Sequence, residues 1–246
     1  MLYDIGDTRQ SCRVRFFTAE TFDPHKTPLA QSVALYYNKY SEKRDPMSKA
    51  LNHFKTITHH RHQVIRNCFK AGIPWQGLKH DLSKYSWTEF SEGARYWQGT
   101  RSPNDREREV KGYSEAWMHH KGRNRHHLEY WTDYSPIDRK IKPVEMPVRY
   151  VVEMFCDRMA ACKTYQGDNY TDRSPLEYFI KGKERKGRVF RGELMHPASC
   201  DLIEHYLTYL AENGEEKTFA YLRKVIKQDK IDRKKRKKAQ KDAEGN

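Results

Sequence analysis

A chain of 246 residues with 37% hydrophobic and 33% charged positions is polar for a globular protein, yet long enough to bury a real core in one domain or two. An aromatic content of 13% argues against disorder. No apolar run reaches the length of a membrane span and the N-terminus lacks a signal-like apolar region, which with five unpaired-looking cysteines (Cys12, Cys68, Cys156, Cys162, Cys200) predicts a cytoplasmic protein with reduced thiols.

Residues 1–43 read as an N-terminal appendage. A short alternation at Cys12–Phe17 is followed by breaks at Pro24 and Pro28 and a helical pattern over Leu29–Tyr40. From Met47 the period becomes helical: Leu51, Phe54, Ile57, Val64, Ile65, Cys68 and Phe69 recur at steps of three and four, and Gly72 with Pro74 ends the pattern. His60 falls on the apolar face of this helix with His53 and Val64, whereas His59 and His62 point elsewhere.

A short helix is predicted from Ile73 through the stretch Lys79-His80-Asp81-Leu82-Ser83-Lys84. An imidazole beside a carboxylate suits a divalent metal with nitrogen and oxygen ligands. Ser86 and Glu89 have the spacing of a capping box, which assigns Glu89 a structural role ahead of a helix bearing Phe90, Ala94, Tyr96 and Trp97. Residues 98–112 are predicted to be a loop, placed in sequence to act as a lid or to be a solvated linker.

Nine of the twelve histidines lie between His53 and His127. Two of the His-His pairs, His119-His120 and His126-His127, are seven apart and flank the basic turn Gly122-Arg123-Asn124-Arg125, each pair reading as part of a helix. Adjacent imidazoles on a helix diverge by about 100°, so one can ligate while its neighbour meets substrate. His120 and His127 are favoured as ligands over His119 and His126, whose rings would meet substrate or the groups that support the ligands. Arg123 and Arg125 are candidates for holding phosphate.

After a Pro-bearing connection from Pro136 to Pro147, the stripe Val148, Val151, Val152, Phe155, Met159 and Cys162 predicts a helix carrying Glu153 and Asp157 one turn apart. A helix from Pro175, a mobile segment at 181–192, a helix from Met195 and a last helix over Glu215–Lys227 complete the body. Strand signals are nearly absent. Residues 227–246 hold nine Lys or Arg against four acids and are expected to be a disordered basic tail; +9 of the +14 remains in the body. A basic body fits a phosphorylated small molecule and a nucleic-acid backbone equally.

His80-Asp81-Leu82-Ser83-Lys84 resembles the His-Asp-x-Gly-Lys signature of the HD superfamily of metal-dependent phosphohydrolases, with Ser83 in place of the glycine. In chain order that superfamily uses a first His, the His-Asp pair, further His residues in two-metal members, and a late Asp. The resemblance assigns His60, His80, Asp81, His120, His127 and Asp157 as ligands of one or two Mn, Mg, Zn or Fe ions, and Lys84, Asp81, Arg123, His119 and His126 as catalytic groups. Over roughly residues 45–225 the chain is also similar to DUF5662, a family of unknown function, through Thr58–His62, His80–Ser86, Ala116–His120, Arg123–Trp131 and Glu153–Arg158.

These resemblances imply an all-α, HD-like helical bundle over residues 44–226 and an enzyme hydrolysing a nucleotide or other small phosphoester. Two alternatives follow: a di-iron oxygenase on the same ligands, or a non-enzymatic nucleic-acid-binding protein using the basic surface and tail.

Overall fold

The computed structural model describes residues 46–186 and 190–244; the appendage and its predicted elements lie outside the described residues. Eight helices and one small hairpin make up these residues, so the protein is mostly helical as expected. No described helix is long and apolar enough to cross a membrane.

Helix α1 (Pro46–Ala71) buries His53, Ile57, His60, Val64, Asn67, Cys68 and Ala71, a stripe at steps of one to four. Leu51, Phe54 and Phe69 belong to the same apolar rhythm but remain half exposed, being outside the contact arc. The helix closes as its sequence predicts. Gly72 takes φ 84°, its amide donates to Phe69 O, and the Ile73 amide donates to Cys68 O, which together satisfy two terminal carbonyls.

Helix α6 (Val148–Gln166) is the central strut. It buries side chains on nearly every face, among them Val151, Val152, Phe155, Cys156 and Met159. It packs on α1 and on α8 (Pro197–Glu244), and the core continues through Cys200, Ile203, Leu207, Leu210 and Leu222 of α8. Asn67 of α1 donates to the Cys156 carbonyl of α6 at 3.2 Å, a buried tie between the two helices that carry His60 and Asp157. The four described cysteines are buried and free.

Five expectations change. The predicted single helix across 73–84 is broken at the His-Asp pair: α2 (Pro74–Lys79) ends, Asp81 adopts φ 53°, and a 3₁₀ turn follows over Leu82–Tyr85. Within the predicted loop 98–112, Pro103–Lys111 forms α4, started by its proline and ended by Gly112 at φ 82°. Thr132–Ser135 and Lys140–Pro143 pair antiparallel as β1 and β2; both are short and solvent-facing, so neither carries the alternation that marks a half-buried strand. The segment expected to be mobile is helical up to Lys186, the end of α7 (Ser174–Lys186), and the tail expected to be disordered continues α8 to Glu244, with one non-helical residue at Gly214.

Candidate metal centre

Helix α5 (Glu115–Lys121), capped by Ser114, and the turn after it bring the remaining histidines to α1 and α6, and α3 (Trp87–Arg95), capped by Ser86, brings Glu89. The centre is organised around Asp81. Its carboxylate is almost fully buried, and its left-handed backbone is one that Asp tolerates better than most residues. Arg61 of α1 fixes this turn by donating to the carbonyls of both His80 and Leu78.

Each oxygen of Asp81 faces a different group. Oδ2 lies 3.3 Å from His80 Nε2, which in turn lies 3.5 Å from Asp157 Oδ1; that oxygen is 2.9 Å from His60 Nε2. Oδ1 lies 3.3 Å from His120 Nε2 and 3.4 Å from His126 Nε2, and His127 Nε2 is 2.9 Å from His120 Nε2. Two four-residue sets result: His60, His80, Asp81 and Asp157, and Asp81, His120, His126 and His127.

The donor atoms suit metal ions for a specific reason. His80 Nε2, His126 Nε2 and Asp81 Oδ1 are buried without a hydrogen-bond partner, a costly arrangement for polar atoms. Donors bound about 2.1 Å from a shared cation stand about 3.0 Å apart in an octahedral site and about 3.4 Å in a tetrahedral one. Neighbouring donors here stand 2.9–3.5 Å apart, close to those spacings. The donor sets are imidazole and carboxylate only, a composition that admits Zn, Mn or Fe and lacks the thiolates of most structural zinc sites.

The other nitrogen of three imidazoles is held by glutamate. Glu153 Oε1 lies 3.1 Å from His80 Nδ1 and 3.3 Å from His126 Nδ1, while its Oε2 accepts from Gln76 at 2.8 Å. Glu89 Oε2 lies 2.7 Å from His120 Nδ1, and Oε1 lies 2.6 Å from His119 Nδ1. Carboxylates on Nδ1 fix the ring orientation and leave Nε2 free to ligate. Ser83 Oγ accepts from Asn124 at 2.8 Å and lies 3.2 Å from His120 Nδ1, so the serine ties the His-Asp turn to the α5 segment.

Burial opposes charge throughout, and the neighbours decide which groups overcome it. Asp81, Asp157 and Glu153 outweigh desolvation and hold the His80 pKa well above its usual value; Asp81 and Glu89 likewise raise that of His120. At His60 burial wins over the Asp157 hydrogen bond and lowers the pKa. His127 is lowered well below its usual value by burial and by His126 and His120. Histidine and lysine neighbours hold Asp81 and Asp157 well below the usual carboxylate range, and Glu153 is pulled down to about 2 despite its burial, by His126 and His80.

A cavity of 230 Å³ adjoins the cluster. His60, Lys84, His120, His127 and Asp157 form one wall; Trp97, Arg101, Trp117, Tyr165 and Tyr178 contribute to the rest. The Lys84 ammonium sits 2.6 Å from Asp81 Oδ2, and Asp81 and Asp157 raise its pKa against the effect of burial.

Of the residues singled out in the sequence, His60, His80, Asp81, His120, His126, His127 and Asp157 meet within these sets, and Lys84 joins them. His126 lies in one of the groups that could hold a metal, together with His127: residues 126 and 127 occupy a turn before the 3₁₀ segment Leu128–Tyr130, so helical divergence does not apply to them. His119 belongs to neither set and is held by Glu89. Arg123 is not brought to the cluster; it is exposed and donates to the His119 carbonyl. Arg125 likewise donates to Tyr130 and Tyr150 hydroxyls. Glu89 is the residue the sequence reading missed: Ser86 does cap α3, but the Glu89 carboxylate goes to the two imidazoles.

The fold and the centre thus define a mostly helical protein with buried His/Asp groups able to hold a metal ion. Residues 49–209 match DUF5662, a family of unknown function, and the chain belongs to that family. No curated protein matches it, and no solved structure does.

Proposed function

We propose that this protein is a metal-dependent phosphohydrolase acting on a nucleotide or another small phosphoester, with Asp81 shared between two metal positions. The observation that carries this reading is the convergence on Asp81 of three imidazole nitrogens, from His80, His120 and His126, beside a cavity that also presents Lys84. The resemblance of His80–Lys84 to the HD signature supports the same class.

His60, His80, Asp81 and Asp157 would hold one ion, and Asp81, His120, His126 and His127 a second. A divalent ion there supplies Lewis acidity and an acidified water. The chain's own groups do the rest. Glu153 and Glu89 keep the ligating rings in one tautomer and orientation. Lys84, fully charged and facing the cavity, offsets negative charge on phosphoryl oxygens. Burial and the neighbouring imidazoles keep His127 neutral, the form that ligation requires. Arg101 takes the place proposed for Arg123 as the cavity's guanidinium, although Glu109 holds it at 2.6 and 2.7 Å in the free protein.

Metal analysis of the purified protein, followed by a phosphoester panel, tests this. Colourless Mn, Mg or Zn with turnover that Asp81→Ala abolishes is the expected outcome. Asp81→Ala with metal content and turnover intact would refute it. Iron with an oxygen-dependent visible absorption would transfer the centre to oxygenase chemistry.

A further inference from the structure

Helix α8 outlasts the body it packs on. Its last buried residue is Asp229, which pairs with Arg233 at 2.9 Å. From Lys234 to Glu244 every residue is exposed, so eleven residues of helix project without packing. They carry Lys234, Lys235, Arg236, Lys237, Lys238 and Lys241 against Asp242 and Glu244. Among the described residues none of these six cations has an ion-pair or hydrogen-bond partner.

This arrangement is self-repelling. Lys234 has like charges three and four residues on, at Lys237 and Lys238, and Lys237 has another at Lys241; such pairs destabilise an isolated helix. Short exposed helices are marginal even without repulsion. A polyanion would remove the penalty, and the composition narrows which one. The only non-polar side chains over 234–244 are Ala239 and Ala243. An interfacial membrane helix needs a Trp, Phe or Leu face, and a helix bound in a protein groove needs large apolar anchors. Neither is present. Single-stranded nucleic acid is gripped by stacking on aromatic rings, and this stretch has none.

The placement of charge completes the argument. Five consecutive cations from Lys234 to Lys238 advance by about 100° each, so they surround the helix instead of forming one stripe. A flat surface meets one side of such a helix, whereas a groove flanked by two rows of phosphates meets both. The B-form major groove, about 12 Å wide, admits an α-helix; the narrow A-form major groove does not.

We infer that residues 234–244 form a docking helix for the major groove of B-form DNA, held by phosphate contacts and independent of the metal centre.

Binding of the full chain to a labelled 20-base-pair DNA duplex, followed by fluorescence anisotropy across 50–200 mM salt, tests the inference. Five or six phosphate contacts predict a slope of log K against log salt of about −5. A variant with Lys234, Lys235, Lys237, Lys238 and Lys241 changed to Gln keeps helix propensity and touches no packing, so its thermal midpoint and metal content should match the parent. It should lose at least tenfold in affinity, and its slope should shrink towards that of the body alone. Unchanged affinity and slope in this variant would overturn the inference. Equal affinity for single-stranded DNA or duplex RNA would also overturn it, as would binding only to vesicles containing phosphatidylserine.

Discussion

Asp81 combines a backbone of φ 53°, a buried carboxylate and an imidazole nitrogen 3.3 Å from each oxygen, and each property separates one substitution from another. Asn tolerates the left-handed conformation at least as well as Asp but carries no charge. Asp81→Asn should therefore stay folded and lose metal, with retained circular dichroism and metal content below a tenth of the parent's. Glu153 acts through His80 and His126, so Glu153→Gln should weaken metal affinity about 10- to 100-fold without removing a ligand. Competition with a chromogenic chelator would measure this. The sequence exposed much of this centre because His60 sits on a readable helix face and His80-Asp81 is a local pattern. Glu89 escaped because Ser86-x-x-Glu89 already had a sufficient explanation as a cap, and spacing does not say where a carboxylate turns next. His126 escaped because its direction is set by an irregular turn, for which no period exists.

Between α1 and α3 the contact is close enough to exclude one methyl group. A Cβ on Gly93 would collide with the His53 ring, which is buried in α1 and cannot move far. Gly93→Ala should cost about 1–3 kcal/mol despite the better helix propensity of alanine, seen as a lower denaturant midpoint. His53 also makes this contact pH-dependent. Burial, aided by Lys84, lowers its pKa from 6.5 to about 4, so between those values the unfolded chain binds the extra proton. The associated stability is complete above pH 6.5 and is lost as the pH falls towards 4, by at most about 3 kcal/mol. In His53→Asn the acid slope of unfolding free energy over that window should flatten. Elements were legible where one face is buried, as in α1 and α6. They were illegible where helix persists without a buried face, as in the end of α8, or where strands are four residues long and exposed, as in β1 and β2.

Across the whole molecule, a metal ion held by these groups would compete with protons for the same nitrogens. Without metal, Asp81, Asp157 and Glu153 raise the His80 pKa, and Asp81 and Glu89 raise that of His120, so these rings favour the charged form. A base raised in the folded state contributes stability that is complete below its unfolded pKa near 6.5 and fades as pH climbs through the folded value. The metal-dependent contribution runs the other way. Ligation requires neutral imidazole, so an ion must displace the protons of both rings, and its apparent affinity should rise with pH through a window lying above 6.5. Metal at 100 times its dissociation constant adds about 2.7 kcal/mol to stability, which sets the scale of the thermal shift. The increment in melting temperature on adding Mn or Zn should therefore grow from pH 6.5 upwards while the metal-free midpoint loses the His80 and His120 contribution. Calorimetric titration in buffers of different ionisation enthalpy should show proton release on metal uptake. Uptake without proton release, with a thermal increment independent of pH, would mean that the ions bind away from His80 and His120, and the two ligand sets around Asp81 would lose their assignment.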